Sequence, residues 1–199
     1  MVLMSSISPN HQELLLNLAF QSIEYGLQHN HEMPVDEAHY PEPLQAVRSA
    51  FVTLLRQRQL RGCIGSLTPS RPLVIEVAHN AYASAFHDFR FVNISSAELP
   101  LLTIEISVLS PQQPMQFISE DDLLRQLRPM IDGLTIEDNG RRATFLPQVW
   151  QQLPDRQTFL QHLKEKAGLP FDYWSDTLKA YHYTVEHFAA PPQGSVKAT

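Results

Sequence analysis

The run Leu101–Leu109 (LLTIEISVL) limits the possible folds more than any other stretch of the chain. It is rich in β-branched and aliphatic side chains, carries one charge at Glu105, and is far too short to span a membrane. It reads as a strand apolar on both faces, and such a strand belongs inside a sheet. Neighbours for it are visible. Ser49–Leu55 and Leu60–Leu67 flank the polar Gln57-Arg58-Gln59 and read as a hairpin. Leu134–Glu137 and Arg142–Leu146 flank Asp138-Asn139-Gly140-Arg141, whose Asn-Gly pair suits a tight hairpin turn. Thr177–Phe188 reads as one last strand.

Helix signals lie between these runs. Ser8-Pro9 is an N-cap followed by a first-turn proline, opening a helix to about Gln28 with Leu14, Leu15, Leu18, Ala19 and Ile23 as its apolar stripe. His29 to Pro43 is polar, holds three prolines and reads as a loop. Pro72 opens a helix to about His87, with Val74, Val77, Ala78, Ala81 and Ala85 on one face and Glu76, Asn80 and His87 on the remaining one. Ser119 and Asp155 cap two further helices, the second ending at Gly168. Helices and hairpins are mixed without steady βαβ alternation. The fold class that follows is α+β, with mainly antiparallel sheet flanked by helices. The chain, 199 residues long, is expected to form a single domain over 1–188, with a disordered tail over 189–199.

Several function classes recede on composition. Cys63 is the only cysteine, so no intramolecular disulfide can form and nothing points to an oxidising compartment. The first residues lack a basic segment followed by an apolar run, and no stretch approaches the roughly 18 apolar residues of a membrane span. A cytoplasmic protein with no membrane partner is the expectation. The net charge of −6 disfavours nucleic acid as a partner. The charge is uneven: Arg48 to Arg90 holds six arginines against Glu76 and Asp88, a local +4 that leaves −10 elsewhere. Arginine forks suit carboxylates and phosphates, so a small anionic ligand is one reading and a solvated arginine surface the other. The nine histidines form no metal signature, and none of GxxxxGK[ST], GxGxxG or GxSxG is present. No metal is expected, and no cofactor is named by the sequence.

The residues richest in chemistry sit at Arg61–Gly65 (RGCIG). In a strand, Arg61 and Cys63 share a face. A guanidinium beside a thiol favours the reactive thiolate. Gly62 and Gly65 remove side chains beside it and permit close approach by backbone or ligand. Cys63 is thus a catalytic candidate, or else a small apolar filler beside a glycine bend. Asp88 and Arg90 bracket Phe89 after a helix; Arg90 suits an anion, and the alternative is an ion pair locking the helix exit. Glu105, inside the strongest strand, needs a partner such as Arg61 or Arg90, or a solvent-open face. Arg61, Gly62, Gly65, Asp88, Arg90 and Glu105 are the candidate ligand-binding set.

These residues form an ordered series. After RGCIG come Phe86–Phe91 (FHDFRF), Glu98-Leu99, Glu105–Ser110 (EISVLS), Asp132-Gly133-Leu134, Thr144–Trp150 (TFLPQVW) and Tyr181–Glu186 (YHYTVE). The series resembles the AmmeMemoRadiSam system protein A family, also called the AMMECR-one domain. The resemblance implies an α+β domain with a smaller subdomain packed on it. It also implies a prokaryotic protein often encoded beside a Memo-type protein and a radical S-adenosylmethionine protein. It supplies no reaction. The chain departs from the family pattern at Phe89 and at Val92-Asn93, where prolines are usual. Two functions follow as expectations. One is a non-catalytic component that binds a small ligand or those partner proteins. The other is an enzyme, or enzyme subunit, using a pocket around Cys63 on an anionic substrate.

Overall fold

The computed structural model describes residues 7–192. In chain order the elements are α1 (Pro9–His29), α2 (Glu42–Gln45), β1 (Ala50–Arg56), β2 (Gln59–Gly65), α3 (Leu73–Phe86), β3 (Leu102–Leu109), β4 (Gln113–Pro114), α4 (Glu120–Gln126), β5 (Gly133–Asp138), β6 (Arg141–Phe145), α5 (Arg156–Lys166), β7 (Lys179–Tyr183) and β8 (Val185–Ala190). The class is α+β, as the mixed sequence pattern requires, and the pairs β1–β2, β1–β3, β4–β7, β5–β6 and β5–β7 are antiparallel. The chain divides into two units. The first runs to Leu109 and resumes at Glu186; the second is Ser110–Val185. No helix among the described residues is long and apolar enough to cross a membrane.

The first unit holds a sheet of order β2-β1-β3-β8. α1 and α3 pack against each other and onto one face of it. Leu15, Leu18 and Ile23 of α1, Val74, Val77 and Ala81 of α3, and Val52, Leu54, Ile104 and Ile106 of the sheet form its core. Each fully buried side chain of this size contributes about 1.5–3 kcal/mol. Ser8 caps α1 by accepting the His11 N–H. Leu14, assigned to the apolar stripe by sequence, is exposed instead, because the stripe follows Leu15, Leu18, Ser22 and Gly26. The second unit holds a sheet of order β4-β7-β5-β6. Its core stacks Trp150 on Phe159 at 3.7 Å between ring centroids, and the Trp150 indole donates to the Asp132 carbonyl.

Four expectations change. β3 is interior, but it is not apolar on both faces: Leu102, Ile104, Ile106 and Val108 enter the core, while Thr103, Glu105 and Ser107 lie on a partly open face. The polar residues recur with the period of two that a one-sided strand requires, masked by the surrounding aliphatics. The single last strand is two, β7 and β8, in different sheets. At the break, Thr184 and Ser110 pair: the Ser110 N–H donates to the Thr184 carbonyl, and the Thr184 N–H donates to Ser110 Oγ. Ala189 and Ala190, assigned to the tail, complete β8; the tail from residue 193 lies outside the described residues. The polar loop after α1 holds a short 3-10 turn at Glu37–His39 as well as α2.

Of the residues assigned to the remaining face of α3, Glu76 and Asn80 are buried and His87 is exposed. Glu76, Asn80 and Ser84 recur every four residues, and Asp88 continues the row past the helix end. Asn80 Nδ2 donates to the Ala50 carbonyl and to Glu76 Oε1. Ser84 Oγ donates to the Val52 carbonyl and accepts the Ile64 N–H, so a helix hydroxyl is inserted into the β1–β2 ladder. Arg71 Nε stands 3.0 Å from Glu76 Oε2 and neutralises the buried carboxylate. This seam needs Gly62. A Cβ there would overlap the Ser84 carbonyl oxygen, whereas one at Gly65 would meet the Phe51 ring.

Two substitutions test the seam and the hairpin. Gly62→Ala is expected to lower stability by about 2–3 kcal/mol in urea unfolding, because helix backbone must move. Arg58→Gly is expected to raise it by about 1 kcal/mol: Gln57 and Arg58 form the β1–β2 turn with φ of 52° and 66°, a region glycine occupies without strain.

Candidate functional site

β2 is an edge strand, and its outer side is closed by side chains. The Cys63 N–H donates to Asp88 Oδ2 at 2.9 Å, and Arg90 Nη2 donates to the Cys63 carbonyl at 3.2 Å. Asp88 and Arg90 are themselves paired at 2.7 Å, with a second bond from Arg90 Nε to Asp88 Oδ1. The ion pair therefore occupies the place of a neighbouring strand at Cys63, an acceptor for its N–H and a donor for its carbonyl. An edge closed in this way resists pairing with another chain. Asp88 can reach β2 because α3 ends at Phe86 against it, and Gly62 permits the approach. Asp88 is buried, while Arg90 keeps 45% of its side chain exposed.

Arg61 performs a second clamp. Its Nε lies 3.0 Å from Glu98 Oε1, its Nη1 donates to the Val92 carbonyl, and its Nη2 donates to the Asn93 carbonyl. Glu98 also accepts from the Ser95 N–H and lies 3.2 Å from Arg56. The segment between Asp88 and Glu98 is thereby tied to β2 at both ends.

Cys63 Sγ points to the open face of the sheet, where Thr53 Oγ1 donates to it at 3.2 Å. Thr53 is cross-strand from Cys63 on one side and from Glu105 on the other. Directly paired residues share a face. A row Cys63–Thr53–Glu105 thus crosses three strands, and His187 of β8 lies 3.9 Å from Glu105 Oε2. His187 also lies 3.2 Å from Ser107 Oγ.

Sequence reasoning and geometry meet unevenly here. Arg61, Gly62, Cys63, Gly65, Asp88 and Arg90 are brought together around the β2 edge. Glu105 joins them through Thr53, not through a guanidinium: its neighbour is the His187 ring, while Arg61 pairs with Glu98 and Arg90 with Asp88. The alternation expected of Arg61 and Cys63 is interrupted: the β1–β2 register shifts between Leu54 and Leu55, Arg61 has no cross-strand partner, and Leu60, paired with Leu55, falls on the face of Cys63, paired with Thr53. Thr53, Ser84 and Glu98 escaped the sequence reading as site residues. The four-residue spacing of Glu76, Asn80, Ser84 and Asp88 was the available signal for Ser84, and the place of Glu98-Leu99 in the ordered series was the signal for Glu98; Thr53 left none. Among the described residues no group of three or more His, Cys, Asp or Glu is placed to hold a metal ion.

The ion pairs leave a pH signature. Hydrogen bonding to Arg90 holds the Asp88 carboxyl well below the usual carboxylate range against the opposing effect of burial, with the Cys63 and Arg90 N–H groups adding to the shift. Arg61 lowers Glu98 in the same way. Carboxylates lowered by folding stabilise the native state above their unfolded value, near pH 4, and lose that contribution as pH falls toward the folded value. Urea unfolding between about pH 5 and pH 2 is expected to show a steep loss of stability. Asp88→Asn is expected to be less stable at neutral pH and to have a shallower acid limb; an unchanged slope would count against the clamp.

The family model for AMMECR1 matches residues 16–188 of the chain. A protein of Thermococcus gammatolerans is 36% identical over 195 residues, covering 93% of each chain. One from Methanothermobacter thermautotrophicus is 32% identical over 186 residues, covering 92% of this chain and 95% of that protein. The crystal structure of the uncharacterized protein PH0010 from Pyrococcus horikoshii is similar with a TM-score of 0.79 and 35% identity, covering 96% of this chain and 97% of that one.

Proposed function

The chain belongs to the AMMECR1 family, and on that premise we propose that it is a non-catalytic binding component that serves separate catalytic proteins. One observation carries the reading: the charged groups around the signature cysteine are engaged inside the fold. Arg90 is bonded to Asp88 and to the Cys63 carbonyl; Arg61 is bonded to Glu98 and to two loop carbonyls. A guanidinium held in this way shapes the strand edge and its loop. The thiol receives its hydrogen bond from a neutral hydroxyl, and a thiolate nucleophile needs a base or a free cation beside it. RGCIG and the Asp88–Arg90 pair are on this reading one structural device that holds a loop and an open sheet face for a partner. The Memo-type and radical S-adenosylmethionine proteins implied by the sequence resemblance are the partners proposed, with a small anionic ligand as the other class.

The enzyme reading retains one specific observation, the row Cys63–Thr53–Glu105 on a partly exposed face. Cys63→Ser separates the two. Titration calorimetry with the purified Memo-type and radical S-adenosylmethionine proteins of the same genome is expected to show a complex with one of them, with affinity within about twofold for Cys63→Ser. No complex with either would reject the binding role in this form. A variant that binds normally yet fails to complement a deletion strain would favour chemistry at the thiol.

A further inference from the structure

The second unit holds a cleft of about 600 Å³, a size suited to a small molecule. One wall is the segment 115–118 that follows β4; the other is the segment 174–176 with the start of β7. The walls diverge beyond the Met115 N–H, which donates to the Ala180 carbonyl. Both are fixed by the fold itself. The buried Asp138 accepts from Tyr173 Oη at 2.6 Å and from Thr177 Oγ1 at 2.8 Å, so it grips the chain on either side of Trp174 and Asp176. Ser175 Oγ accepts the Thr177 N–H, and the Ser175 carbonyl accepts the Leu178 N–H. In the opposite wall the Ile118 N–H donates to Asp122 Oδ2, and the Gln116 carbonyl accepts from Gln126 Nε2. Walls held in this way lose little freedom when a ligand binds.

The polar groups of the lining are unengaged. Glu120 and Asp122 of the neighbouring α4 are paired with Lys164 and Arg125. Asp176 and Lys179, both exposed in the lining, form no ion pair and no side-chain hydrogen bond among the described residues, although Glu137 stands opposite Lys179 in the β5–β7 pair. The Trp174 indole N–H and the Tyr181 hydroxyl have no partner among the described residues either. The β2 edge is the reverse case, since Arg61 and Arg90 are bonded there within the fold. Phe117 and Trp174 meet edge to face at 5.7 Å and form an apolar corner with Met115. One carboxylate, one ammonium and an aromatic corner suit a molecule that is neutral overall, charged at both ends and apolar in one side chain. Asp176 and Lys179 are three residues apart, at most about 10 Å of chain, and do not touch each other. The two ends of a dipeptide bridge such a gap better than two charges on one carbon.

We propose that this cleft binds a zwitterion of dipeptide size with an aromatic or large aliphatic side chain. Asp176 takes the ammonium and Lys179 the carboxylate, each by a charge-assisted hydrogen bond. The side chain lies in the Phe117–Trp174 corner, where ring contacts add to the burial of apolar surface. The site uses no residue of RGCIG, so it stands or falls apart from the role proposed for that motif.

Titration calorimetry of the full chain with leucylphenylalanine tests this. Tryptophan emission is a second readout, because Trp174 lines the cleft while Trp150, the other tryptophan, is fully buried against Phe159. Saturable binding with a shift in emission is expected. Acetylating the amine, or converting the carboxylate to an amide, is expected to weaken binding about threefold or more. Asp176→Asn is expected to cause the same loss for the free dipeptide and none for the acetylated one; Lys179→Gln is expected to do so for the carboxylate and not for the amide. Both positions are exposed, and circular dichroism checks that each variant folds. Diglycine and free phenylalanine are each expected to bind about threefold or more weakly than leucylphenylalanine. Neither saturable heat nor an emission change with leucylphenylalanine overturns the proposal. Binding that both substitutions leave unchanged, or a loss in Asp176→Asn that is equal for free and acetylated dipeptide, overturns the roles given to the two charges. Free phenylalanine binding as tightly as the dipeptide overturns the size of the ligand.

Discussion

The carboxylate of Asp88 accepts the backbone N–H of Cys63, and the arrangement of the first unit around β2 depends on that bond. A buried carboxylate without a partner would be expelled or protonated. Arg90 answers its charge and at the same time reaches the Cys63 carbonyl, so one ion pair satisfies both backbone groups at an edge position. The bond also sets where α3 ends, since Asp88 follows the last helical turn directly. Gly62 is required because the helix end lies against the strand, and the segment beyond Asp88 is held because Arg61 draws its carbonyls to the same strand.

Seen from this bond, the glycines and the cysteine have different reasons to be there. Gly62 makes room for helix backbone; Gly65 makes room for the Phe51 ring. Cys63 contributes its backbone to the ion pair and its thiol to the open face, where Thr53 meets it. A small side chain suffices for the first task. The open face is the part of the sheet on which Thr53, Glu105 and His187 stand.

Much of the local structure was legible beforehand. Ser8, Ser119 and Asp155 cap their helices by the bonds that their sequence context announces. Asn139-Gly140 makes its turn with both residues in the left-handed region. β3 was placed inside its sheet on hydrophobicity alone, yet its two faces were misread because Ile104, Ile106 and Val108 outweigh the threonine, glutamate and serine between them. The split of the run from Thr177 to Phe188 was illegible for a different reason. Its hydrophobicity is continuous, and only the pairing of Thr184 with Ser110 marks where one sheet stops and the other begins.

The sequence by itself determined the class of fold and most element boundaries, because caps, turns and side-chain periodicity act over a few residues. Only the tertiary structure decided the partner of each charge. Arg61 finds Glu98 thirty-seven residues away, Cys63 finds Asp88 twenty-five away, and Glu105 finds His187 across the sheet. Strand register and the approach of α3 to β2 make those choices, and neither is encoded in the spacing of a motif.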